Sequence, residues 1–180
     1  MNHINGQTTL NIRKYASGWK STERRKGSMV IEFTVNCIPV AQPRQRHSVM
    51  SFGGKSFVRN YTPKNDPVNA FKAAVRLSAS QAYQGKPLDE PIQMSVVMVF
   101  PRNKGLMWKT KPMPRLPKDT KPDWDNLGKS LCDALNGLLY RDDSLIYDAH
   151  IVKVIAAGDE QPHVRVRIRR WNSEVASLLH

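Results

Sequence analysis

Asp123 and Asp125 stand one residue apart in the stretch KPDWDNLGKSLCDALNGLLYRDDSLI, with Lys129 four residues after Asp125 and the pair Asp142 and Asp143 further on. Carboxylates at this spacing can offer oxygen ligands to a hard divalent cation, and a lysine beside them can offset charge developing on a phosphate. Magnesium commonly takes only one or two protein carboxylates and fills its octahedron with water and substrate phosphate oxygens. The Asp-x-Asp pair therefore suffices if a third carboxylate arrives from another element, and Asp142 or Asp143 could supply it. Seven of the 15 Asp and Glu residues fall between Asp119 and Asp148. Repulsion among them opposes this grouping, and a bound cation relieves it.

Each residue also has a plainer reading. An Asp at a helix start commonly caps the helix or meets its dipole, and two adjacent Asp residues commonly make a turn. Lys129 is placed for a surface ion pair with Asp125, and Asp133 for a solvated face or a pair with Lys129.

These residues need elements to hold them. Met29 to Cys37 alternates apolar and polar residues as a strand does, and Pro39 and Pro43 end it. SFGGKSFVRNYTP reads as a small hairpin around Gly53 and Gly54. From Asp66 to about Tyr83 a helix is expected, with Val68, Phe71, Val75, Leu77 and Ala82 near helical spacing and Gly85 and Pro87 as the stop. Ile92 to Phe100 is the most strand-like run and is expected at the centre of a sheet. Residues 101–121 carry four prolines and seven Lys or Arg, as a solvated loop or flap would. Asp123 to Leu139 predicts a second helix, with Leu127, Leu131, Ala134, Leu135 and Leu138 on one face and Asp125, Lys129 and Asp133 on the other. Two more strands are expected at Ser144 to Ala156 and His163 to Trp171.

The chain has 180 residues, enough for one domain with a core, and its 28 Lys and Arg against 15 Asp and Glu give a net charge of +13. That excess points to a polyanionic partner. No apolar run approaches the length of a membrane span, and the GxxxxGK[ST] spacing of a nucleotide-binding loop is absent. Cys37 and Cys132 make no disulfide framework, no Cys or His pair has zinc-site spacing, and no export signal opens the sequence, so a cytoplasmic location is expected. Residues 1–28, polar and basic without period, read as a flexible arm, leaving 29–180 for the folded domain.

The acidic stretch resembles the RusA family of Holliday junction resolvases, found in phages and prophages, in its D-x-D-N-L-x-K-x-x-x-D-A-L motif followed by D-D. IPVAQPRQRH and YTPKNDP resemble further segments of that family, and the resemblance runs from about Met29 to Trp171. It implies an α+β fold with two main helices packed on a mixed sheet, and a symmetric homodimer acting on four-way DNA. It also implies catalytic magnesium, with manganese as a substitute, on Asp123, Asp125 and Asp143, with Lys129 as the essential lysine and no nucleotide cofactor. Asn126 matches a motif residue expected to orient the cluster, whereas Leu145 stands where members often carry Gln.

The function expected is hydrolysis of DNA phosphodiesters by paired symmetric nicks at a junction. Arg44, Arg46, Lys109, Lys111, Arg115 and Lys121 would hold the DNA backbone together with Asn126. Phe52, Trp108, Trp124 and Tyr140 are candidates for stacking on unpaired bases, with core packing the stronger expectation for Trp124. Two rivals remain: a non-catalytic basic nucleic-acid-binding module, and a nuclease acting on flaps, forks or RNA.

Overall fold

The computed structural model describes residues 29–44, 46–61 and 63–171. The arm expected over residues 1–28 lies outside them. A five-stranded mixed sheet is built from β1 (Val30–Val35), β4 (Ile92–Phe100), β5 (Leu116–Pro117), β6 (Ile146–Ile155) and β7 (His163–Arg170), in the order β1-β7-β4-β6-β5. β4 pairs in parallel with β6 and antiparallel with β7, while β1–β7 and β5–β6 are antiparallel. A separate hairpin joins β2 (Arg46–Phe52) and β3 (Lys55–Tyr61) through Gly53 and Gly54. Their φ of 58° and 77° are open to glycine at no steric cost and suit a two-residue hairpin turn.

Two helices cover one face of the sheet. α1 (Pro67–Ala82) starts where Asp66 accepts the Val68 N–H at 3.0 Å and Pro67 takes the first turn. It buries Val68, Phe71, Val75 and Ala79. Leu77, expected on that face, is 60% exposed, because the stripe proceeds from Val75 to Ala79 by four residues and leaves Leu77 on the outer side. α2 (Trp124–Leu135) buries Leu127, Leu131, Ala134 and Leu135. It stops four residues short of the expected Leu139: Gly137 adopts φ 69° and donates its N–H to the Tyr140 carbonyl at 2.8 Å. The core lies between these helices and the inward residues of β1, β4 and β7, such as Phe33, Val96 and Val166. A smaller cluster of Val99, Val154 and Ala156 lies apart from it.

The segment 101–121 is more ordered than a solvated flap. It contains a 3-10 turn at Lys104–Leu106 and the two residues of β5. Arg102 ties it down by donating to the carbonyls of Ala156 (2.8 Å), Leu106 (3.2 Å) and Pro114. A second 3-10 turn, Asp143–Leu145, precedes β6 and shortens the strand expected from Ser144. Among the described residues, no helix is long and apolar enough to cross a membrane.

Candidate active site

Asp123 sits at the N-cap of α2 with the extended backbone of a capping residue, φ −70° and ψ 143°, yet its side chain makes no capping hydrogen bond. Its backbone carbonyl accepts the Leu127 N–H at 3.2 Å. Asp125 follows in the first turn and is exposed. Neither carboxylate has a partner among the described residues, although both stand where the helix dipole favours negative charge.

Lys129, one turn on, is exposed and likewise without an ion pair among the described residues. The surface pair expected with Asp125 is not formed. Asp133 is engaged elsewhere: Lys72 of α1 meets it at 2.9 Å, fastening the two helices, so it is no partner of Lys129.

The adjacent aspartates after α2 divide their work. Asp142 accepts the Ser144 N–H at 3.0 Å and caps the 3-10 turn, and hydrogen bonds from Ser144, side chain first, hold its carboxyl below the usual range. Asp143 is exposed and free of such bonds. After burial, its charge is a lesser cause that raises the Cys132 thiol and the Tyr140 phenol. Asp125 and Cys132 are two turns apart, about 10 Å of helix rise. Asp123 and Asp125 stand together at the start of α2, whereas Asp143 comes after the helix, in the 3-10 turn before β6. Among the described residues, no three His, Cys, Asp or Glu side chains are gathered as a metal cluster.

The loop after β1 is laid across α2. Ser130, buried on the helix, donates its hydroxyl to the Val40 carbonyl at 2.6 Å, and the Gln42 N–H donates to the Asn126 carbonyl at 2.9 Å. Exposed Arg44 thus follows by two residues a contact with the first turn of α2. Behind the acidic pair, Lys153 of β6 donates to the carbonyls of Thr120 (2.9 Å) and Pro122 (2.8 Å). The Lys121–Pro122 peptide between them is cis.

The remaining site candidates fall into three groups. Lys109, Lys111 and Lys121 are exposed. Arg115 is bound to both oxygens of Glu160, an ion pair that holds the Glu160 carboxyl below its usual range, so Arg115 fastens the 101–121 segment. Arg46 opens β2, and the side chains of Arg46 and Phe52 lie outside the described residues.

Two aromatic expectations reverse. Tyr140 is fully buried, donates its hydroxyl to the Cys132 carbonyl at 3.2 Å and has its phenol pushed up by burial, so it has no face for a base. Trp124 is 63% exposed between the two aspartates rather than packed in the core. Trp108, 40% exposed, lies 6.0 Å from the Arg102 guanidinium. Leu145 packs against the core cluster, an apolar role for the position where Gln was expected.

Sequence reasoning missed Lys153, Ser130 and the backbone of Val40 and Gln42. Lys153 did leave a signal: in β6 it follows Ile151 by two residues and so shares its face, where an apolar residue is the norm.

Free carboxylates at a helix N-terminus, with exposed Arg44, Lys121 and Lys129 close to them in the chain or through contact, suit a divalent cation beside a phosphate backbone. The family of endodeoxyribonuclease RusA matches residues 36–169, and the chain belongs to it. Over 146 residues it is 37% identical to the uncharacterized protein YqaN of Bacillus subtilis (strain 168), a match covering 77% of this chain and 95% of that protein. Over 138 residues it is 25% identical to the crossover junction endodeoxyribonuclease RusA of Aquifex aeolicus (strain VF5), covering 76% of this chain and 90% of the relative.

Proposed function

We propose that this protein is a magnesium-dependent endodeoxyribonuclease that resolves four-way DNA junctions by paired symmetric nicks, acting as a homodimer. The observation that carries the reading is the idle carboxylate of Asp123. It occupies a capping position without capping, next to Asp125, which is equally unengaged. Unpaired carboxylates grouped at one spot repel each other, and their chemistry fits a hard divalent ion held by Asp123 and Asp125. The bound ion supplies an activated water and a Lewis acid for the phosphate.

The chain's own residues provide the rest. Lys129 presents its ammonium one turn from Asp125 and offsets charge developing on the phosphate. Arg44, Lys109, Lys111 and Lys121 hold backbone phosphates and fix the register of the DNA without reading its sequence. Exposed Trp124 stacks on a base left unpaired at the branch. A two-fold substrate with two scissile phosphates suits two identical sites related by a dyad, which is the physical case for a dimer.

The test compares labelled four-way junction, flap, linear duplex and RNA, each with and without magnesium, for the wild type and Asp123→Asn. Symmetric magnesium-dependent nicks on the junction, lost in Asp123→Asn while junction binding persists, are expected. Cleavage of flaps or RNA in preference moves the substrate class, and binding with no nicking under any condition makes the protein a non-catalytic module.

A further inference from the structure

On the helix-facing side of β6, Ile151 pairs with buried Val96 and lies under Gly128 of α2, where an added Cβ would come within 2.8 Å of its Cδ1. Lys153, two residues on, pairs with Met98, which is fully buried, and so continues the same row. An apolar side chain would be ordinary here. Lysine instead extends past the N-terminal end of α2 and donates to the carbonyls of Thr120 and Pro122. Its own backbone carbonyl accepts the Lys118 N–H at 3.2 Å.

The segment 118–122 is therefore held at both ends by one residue, and Asp123 is the next residue of the chain. An ammonium has three donors and suits two converging carbonyls. From this geometry we propose that Lys153 is a positioning residue for the acidic pair: its clamp on Thr120 and Pro122 fixes the direction in which Asp123 and Asp125 present their carboxylates. This deepens the nuclease reading and rests on it.

The test uses the full chain as wild type, Lys153→Met and Lys153→Arg. Hydrogen exchange is followed over residues 118–126 without metal or DNA, nicking is measured at saturating junction, and junction affinity is measured without metal. In Lys153→Met, loss of two charge-assisted bonds speeds exchange in that segment about tenfold or more. Nicking falls roughly ten- to a hundredfold, as expected for carboxylates displaced by about an ångström. Junction affinity stays within about threefold, since the clamp contacts no phosphate. Lys153→Arg, which can bridge both carbonyls, restores exchange and nicking to near wild type.

Unchanged exchange and nicking in Lys153→Met overturn the proposal. So does Lys153→Arg failing as fully as Met, with nicking lost only in step with global unfolding. If Lys153→Met does not fold, Lys153→Gln, which keeps donors at shorter reach, takes its place: faster exchange with slower nicking supports the clamp, and no change in either overturns it. A wild type that nicks no junction defeats the nuclease reading instead, and the exchange comparison still decides whether Lys153 holds the segment.

Discussion

Among the described residues three aspartates stand at N-cap positions, and two of them cap: Asp66 holds the Val68 N–H and Asp142 holds the Ser144 N–H, whereas the Asp123 side chain holds no N–H of its helix. The contrast gives opposite expectations for similar changes. Asp66→Ala should cost about 1 kcal/mol of stability, read as a lower urea midpoint, with nicking intact. Asp123→Asn should shift stability by less than about 0.5 kcal/mol and bring nicking down to the assay background. Trp124 poses a similar test, because its 63% exposure leaves the core nothing to lose. Trp124→Ala should keep stability within about 0.5 kcal/mol while weakening junction binding by about 1–3 kcal/mol if the indole stacks on a base; equilibrium titration with a labelled junction measures it. The sequence assigned Trp124 to the core because helical spacing turns it toward the apolar side of α2, and it left Tyr140 as a stacking candidate when it is fully buried. Helical spacing says which side of a helix a residue lies on, but not whether the core reaches as far as the helix's first residue or takes in the turn that follows.

At the level of elements, period and breakers were informative. The strands, both helices and the Gly53-Gly54 hairpin stand close to where alternation, helical spacing and turn residues put them, and β4 lies between β6 and β7 as its apolar run implied. The departures have two causes, a local glycine turn that ends the helix early and contacts distant in sequence that leave no local trace. α2 ends early because Gly137 closes a turn onto Tyr140, and the proline-rich basic segment is ordered by Arg102 and Arg115 reaching distant groups. Two predictions belong to this scale. Gly128 lets α2 lie close on β6, so Gly128→Leu should overpack the interface and cost about 1–3 kcal/mol, with part recovered by Ile151→Ala, as chemical denaturation of the single and double variants would show. The second concerns Glu160, whose folded carboxyl is depressed, Arg115 being the first cause. Its stabilising contribution is therefore present above its unfolded pKa and is lost as pH falls through the folded value. Limited proteolysis within residues 101–117 should accelerate as the pH drops below the usual glutamate range, and Glu160→Gln should show the fast rate already at neutral pH.

For the molecule as a whole, the net charge of +13 sets how it meets DNA, but not every cation contributes. Arg115 is neutralised by Glu160, Arg141 by Asp89 and Lys72 by Asp133, so these charges hold the protein together. Exposed Arg44, Lys109, Lys111, Lys121 and Lys129 have no such partner among the described residues and are available to phosphate. Each neutralised phosphate releases condensed counterion, and the logarithm of the binding constant falls by about 0.9 per contact for each tenfold rise in salt. If all of these side chains of both protomers reach the duplex arms, the slope should be about −9, and Lys109→Ala with Lys111→Ala should reduce its magnitude by about 3.6. Arg115→Ala should leave the slope nearly unchanged while loosening the loop that carries those lysines, which would appear as faster proteolysis instead. Titrations of a labelled junction across salt concentrations, without magnesium so that no cleavage intervenes, separate the two behaviours. A slope that Arg115→Ala lowers as much as the lysine changes do would show that its guanidinium leaves Glu160 for phosphate when DNA binds.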